Sequence, residues 1–92
     1  MHEFFSKTND PAIPLKDQEF YELRLDDSEV EFPGFLVRQT HFCWCELERQ
    51  MRFDQTLYER YRTLKAANAR YAQRRQLLVE SGFIHSDRDP MG

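Results

Sequence analysis

Residues 40–81 read THFCWCELERQMRFDQTLYERYRTLKAANARYAQRRQLLVES, a run with no Gly and no Pro. Those two residues punctuate regular backbone most strongly, so a long stretch without them points to one continuous element. On a helical wheel at about 100° per residue, Trp44, Met51, Tyr58, Ala69 and Ala72 fall near Leu47. Phe53, Leu57, Tyr61, Leu64, Tyr71, Leu78 and Val79 widen this stripe to one side. It covers roughly half the wheel, which suits a bundle helix better than the narrow seam of a two-stranded coiled coil. Leu57, Tyr61, Leu64, Asn68, Tyr71, Arg75 and Leu78 keep a 4-3 spacing, and joining them to Leu47 and Met51 needs a stutter near Asp54. The stretch therefore reads as a long amphipathic helix or a helical hairpin, and the fold class as mainly α.

The ends of that helix have local signals. Thr40 is a candidate cap, able to satisfy an orphan N–H of the first turn. At the other end Gly82 can adopt the left-handed conformation past the last turn, with Phe83 packing back on Leu78. One helix over the whole run is about 60 Å long at 1.5 Å per residue. The rest of the chain is too short to cover it. The stripe is expected to meet a second copy, another protein, or itself after a turn, with Ala66-Ala67-Asn68-Ala69 as the place for that turn.

Working outward, three segments follow: an acidic, partly extended arm over residues 1–36, the amphipathic segment over 37–84, and a frayed polar tail over 85–92. The arm holds nine acids and three bases, whereas Arg60 to Val79 holds six bases and no acid. Within the arm, Tyr21, Leu23 and Leu25 alternate with Glu22, Arg24 and Asp26, which is strand periodicity. Asp26-Asp27-Ser28 then reads as a turn, and Val30 and Phe32 resume the alternation, giving a short β-hairpin. Pro33-Gly34 is the strongest turn signal in the chain.

Ninety-two residues make one small domain at most. Thirteen aromatics are a large apolar supply for that size, so part of their burial is expected across an interface. No run is apolar and long enough to span a bilayer, and no secretory signal is visible. Two cysteines one residue apart suit a reducing compartment, so a cytoplasmic protein without a membrane partner is expected.

The chemistry-bearing clusters are few. His41-x-Cys43-x-Cys45 has soft ligands for zinc, but on a helix residues two apart point in nearly opposite directions. Packing is the better reading of both thiols. No cofactor box and no nucleophile–base–orienter set stands out, and an enzyme is not expected. The reading that remains is a small non-enzymatic protein-interaction module, such as an accessory subunit, adaptor or inhibitor, acting within a homo-oligomer or a hetero-complex. Its expected contact residues are Trp44, Met51, Tyr58, Tyr61, Leu64 and Tyr71 for packing. Arg62, Arg70 and Arg74 would set orientation and on-rate. Two alternatives stay open: a nucleic-acid binder using the basic helix face, and a zinc module using His41, Cys43 and Cys45.

Overall fold

The strand periodicity around Leu23 is realised in the computed structural model, which describes residues 1–28 and 34–90. In chain order the elements are β1 (His2–Ser6), a single 3-10 turn at Leu15–Asp17, β2 (Phe20–Ser28), β3 (Gly34–Cys45), β4 (Gln50–Tyr61), α1 (Leu64–Glu80) and β5 (Ile84–His85). The five strands form one sheet in the order β4-β3-β2-β1-β5. Every neighbouring pair is antiparallel. The fold is thus a mostly β sheet with a single α-helix, and the expectation of a mainly α chain is corrected.

Residues 40–61 form most of a two-stranded hairpin and not the first half of a helix. Thr40 is not a helix cap. It lies inside β3, buried, opposite Thr56 of β4, and the two hydroxyl oxygens sit 3.3 Å apart. The chain reverses between Cys45 and Gln50 through Glu46–Arg49. That reversal uses no glycine. Arg49 takes the left-handed conformation instead, at φ 52°. A non-glycine residue there costs about 1–2 kcal/mol, so the turn has no compositional signature. The stretch looks continuous because the hairpin turn is closed by an arginine and the step from β4 into α1, at Arg62–Thr63, also uses neither Gly nor Pro.

The helix that does form is the second half of the expected one. Thr63 caps it, its side chain accepting from the Ala66 amide at 3.2 Å. It runs unbroken through Ala66–Ala69, where a turn was the alternative, because alanines favour helix. It ends as the sequence suggested. Gly82 sits at φ 92°, its amide donates to the Val79 carbonyl, and the Phe83 amide donates to the Leu78 carbonyl. This is a Schellman ending, and Phe83 and Leu78 are buried in the same cluster.

Side chains alternate across the sheet, so each face collects its own core. One face carries Phe5, Leu23 and Val37, and Ala67, Tyr71 and Leu78 of α1 lie on it, with Phe83 closing the end. Ala67 is fully buried; its small side chain lets the helix backbone come close to the strands. The opposite face carries Phe20, Phe42 and Met51, with Phe4, Trp44 and Leu15 of the 3-10 turn packed around them. The loop between β1 and β2 therefore covers one end of the face that the helix leaves bare.

The expected segments are redrawn accordingly. Within the segment expected as an acidic, partly extended arm, β1 and β2 are inner strands of the sheet. Asp26–Ser28 continue β2 rather than turning, and the second strand expected at Val30 and Phe32 lies outside the described residues. The tail is tied down in part: the Ser86 amide donates to the Phe4 carbonyl at 2.7 Å, and Asn9 bonds both the His85 carbonyl and the Asp87 amide.

Two backbone positions give direct tests. At Gly34 an added Cβ would sit 2.6 Å from the Tyr61 carbonyl oxygen, which is backbone and cannot swing away. Gly34→Ala is expected to cost about 1–3 kcal/mol, read from chemical denaturation. Arg49→Gly removes the left-handed strain and is expected to raise the unfolding free energy by up to about 1 kcal/mol. A lower melting temperature for Arg49→Gly would contradict the turn geometry.

Candidate interaction surface

The two edges of the sheet differ sharply. One is closed by β5, which is two residues long. The other is β4, twelve residues long, with no strand beyond it among the described residues. A β-strand edge presents a row of backbone donors and acceptors that a further strand can pair with. Beside that row stand exposed apolar side chains: Phe53 is 67% exposed, Tyr58 63% and Leu57 45%. Every residue from Arg52 to Tyr58 is exposed.

A β-bulge shapes this edge. His41 pairs with Gln55 and Phe42 with Phe53, so Asp54 is the extra residue. The bulge turns Asp54 and Gln55 toward the same face, and Asp54 meets the His41 ring. His41 Nδ1 lies 3.2 Å from Asp54 Oδ2, and Nε2 lies 2.8 Å from Glu19 Oε2. A neutral imidazole has one N–H; only the imidazolium donates to both carboxylates. The ring also rests against Tyr21, centroids 4.8 Å apart. Burial, and then the Glu19 and Asp54 charges, push the Tyr21 hydroxyl above its ordinary pKa. The triad Glu19–His41–Asp54 ties the β1–β2 loop, β3 and the bulge together.

Two carboxylates fasten α1 to the sheet. Glu59 of β4 accepts from Tyr61 Oη at 2.6 Å and from Arg70 Nε and Nη2 at 3.1 and 3.0 Å; Arg74 also donates to it. These hydrogen bonds, from Tyr61 first and then the two arginines, hold the Glu59 carboxyl down at about 2. Glu3 of β1 accepts from Tyr71 Oη at 2.7 Å and from Arg75 Nε at 3.2 Å. Burial and the Glu3 carboxylate raise the Tyr71 pKa well above the ordinary tyrosine range.

The structure sorts the residues expected to contact a partner. Met51 and Tyr71 are buried inside the chain's own two cores. Trp44 packs beside Met51, and Tyr61 packs beside the helix-side core. Arg70 and Arg74 are turned onto Glu59, so the helix does not offer them as a free basic face. Tyr58, Leu64 and Arg62 remain exposed. Phe53 and Leu57, expected on the helical stripe, are not among the residues the sequence singles out for partner contact. The signal that could have found them is the strand-favoured aromatic content of β4, since the bulge at Asp54 breaks its two-residue alternation.

His41, Cys43 and Cys45 do share one face, because β3 is extended and not helical. Both thiols are free and half-buried, and both nitrogens of His41 already face carboxylates. Among the described residues no group of three His, Cys, Asp or Glu side chains is placed to hold a metal ion. An open cleft of about 520 Å³ lies between the β1–β2 loop and the end of β3, lined by Lys7, Lys16, Gln18, Cys43, Trp44 and Glu46. Its charges are of mixed sign and its mouth is wide. No described helix is long and apolar enough to cross a membrane. Comparison with models of known families, with curated proteins and with solved structures gives no match.

The Glu59 clamp makes a pH prediction with a definite sign. The folded carboxyl titrates near 2 and its ordinary value is 4.5, so the stabilisation is complete above 4.5 and is lost as pH falls toward 2. Glu59→Gln is expected to melt below the wild-type chain at pH 7, with the gap shrinking below pH 4.5 and vanishing only below pH 2. A gap that is the same at pH 7 and pH 2 would show that Glu59 acts by packing alone.

Proposed function

We propose that this chain is a small non-enzymatic protein-interaction module, an accessory subunit, adaptor or inhibitor, whose binding element is the outer edge of β4. The observation that carries the reading is the twelve-residue open edge with Phe53, Leu57 and Tyr58 exposed along it. An extended segment of a partner adds to such an edge by backbone hydrogen bonds, and alternate side chains supply specificity. Leu47, 97% exposed at the tip of the same hairpin, extends the apolar surface beyond the strand. The free thiols of Cys43 and Cys45 suit a cytoplasmic setting.

A second reading has one observation in its favour. On the face away from α1, the register places His2, Arg24, Arg38 and Tyr58 in a single row across four strands. Arginines track phosphates and aromatic rings stack bases, so this row is suited to a single-stranded nucleic acid. Asp26 sits against both arginines, at 3.2 and 3.7 Å, and offsets their charge. The edge is therefore preferred.

The test is partner capture with the interaction mapped onto the strand. Wild-type chain, a Phe53→Lys/Tyr58→Lys variant and a Leu77→Lys control on the exposed helix face are compared as bait. The expected result is a protein retained by the wild type and the control but reduced at least about tenfold by the β4 variant. Its binding should slow amide exchange in β4 and not in α1. Retention that ignores the β4 changes would overturn the reading. A salt-steep shift of a labelled oligonucleotide, lost in Arg38→Glu, would favour the second reading instead.

A further inference from the structure

The β4 edge is complementary to itself, and we infer that its occupant is a second copy of this chain, paired antiparallel through β4 about a two-fold axis at Thr56. This inference rests on the reading of β4 as the binding element and adds the identity of the partner strand.

In an antiparallel pair, residues directly opposite each other lie on the same face of the sheet. In β4, Thr56 and Tyr58 lie on the open face, while Leu57 and Glu59 lie on the helix face, as their pairing with β3 fixes. The bulge at Asp54 shifts this alternation by one residue. Phe53 is therefore on the open face and Arg52 on the helix face. A strand pairing with the outer edge meets the same shift, with Asp54 and Gln55 together opposite one residue.

With Thr56 opposite its own counterpart, the rest of the register follows. Leu57 meets Gln55 of the second copy. Tyr58 meets Phe53 of the second copy, and Glu59 meets Arg52 of the second copy. Each pairing occurs twice, once on either side of the axis. The two most exposed aromatics of the strand, 67% and 63% exposed, thus cover one another on the open face. On the helix face Glu59 and the second copy's Arg52 stand opposite, but Glu59 already holds Arg70 and Arg74 and Arg52 already pairs with Glu48, so the aromatic contact decides the register. Moving the axis one residue to Leu57 puts Phe53 opposite Arg60 and Arg52 opposite Tyr61, and both pairings are lost. Aromatic pairs directly across an antiparallel pair are stabilising.

The unequal edges support the same occupant. Edges are ordinarily blunted by short strands, by Lys, by Pro or by bulges. The β5 edge is blunted by length, at two residues. The β4 edge is twelve residues long and carries neither Lys nor Pro; its bulge at Asp54 falls opposite Leu57 of the second copy and leaves the stretch from Thr56 onward regular. The product is a continuous antiparallel sheet of ten strands, twice the five of one chain, in which β4 is no longer an edge.

The test combines mass with a covalent probe. By light scattering the wild-type chain should have twice its monomer mass of 11.2 kDa, and Phe53→Lys/Tyr58→Lys should fall to one chain mass with an unchanged circular dichroism spectrum. In a Cys43→Ser/Cys45→Ser background, Thr56→Cys should oxidise to a disulfide-linked dimer, because opposite residues lie about 4.5–5.5 Å apart between Cα atoms. Leu77→Cys, on the exposed helix face, should not. A monomer at all concentrations overturns the inference, and so does a dimer that ignores the double Lys change and cross-links through residue 77. A monomer that still captures another protein through β4 removes the second copy while leaving the edge as the binding element. If β4-dependent capture fails as well, that reading falls too.

Discussion

The sheet has two faces to cover, and among the described residues α1 is the one element long enough to cover one of them. Everything else is arranged around how it lies. Ala67, Tyr71 and Leu78 recur at helical spacing and meet Leu23 and Val37, which are fully buried. Burying an aliphatic side chain of that size contributes about 1.5–3 kcal/mol. A helix on a flat apolar face can slide, however, and here two carboxylates fix its position. Glu3 holds Tyr71 and Arg75 at the β1 side, and Glu59 holds Arg70 and Arg74 at the β4 side. The two anchor points lie on different strands, so the helix is set across the sheet and not merely on it.

This placement decides what is left over. Glu59 binds the inner part of β4 to the helix, yet Phe53 to Tyr58 extends past it. The loop before β2 covers the other face only around Phe20, Phe42 and Met51. The exposed aromatic surface is thereby concentrated on one strand at one edge. The bulge at Asp54 belongs to the same design. It costs one ladder position, and in return it brings Asp54 to His41, which Glu19 reaches from the other side. A strand held by a ladder on only one side gains rigidity from that second attachment.

What could be read from residues alone divides along a physical line. Local signals were legible. The alternation at Tyr21, Leu23 and Leu25 is a strand, and the Gly82–Phe83 ending is a Schellman motif. Both are set by a few neighbouring residues. The hairpin of β3 and β4 was not legible, because its turn is closed by Arg49 at a positive φ rather than by Gly or Asn. Without that punctuation, the aromatics of two strand faces fell into a broad half-wheel and imitated a helix. Trp44, Phe53 and Tyr58 are favoured in strands, but the bulge at Asp54 interrupts the two-residue pattern of β4, and the missing turn outweighed the rest. The site suffered the same error. Residues chosen for a helical stripe were divided between the core, as with Met51 and Tyr71, and the surface, as with Tyr58.

The charge layout carries a last consequence. An acidic N-terminal region and a basic later region look like a device for meeting a partner, or for folding back on each other. Much of that charge is used inside the chain: Glu3 meets Arg75 across the whole sequence, and Glu59 takes two of the helix arginines. Internal pairing of this kind orients α1 and leaves less charge to steer a partner by long-range attraction. Recognition at β4 would then rest on backbone pairing and aromatic contact, which salt screens weakly, more than on the charge asymmetry that is most conspicuous in the sequence.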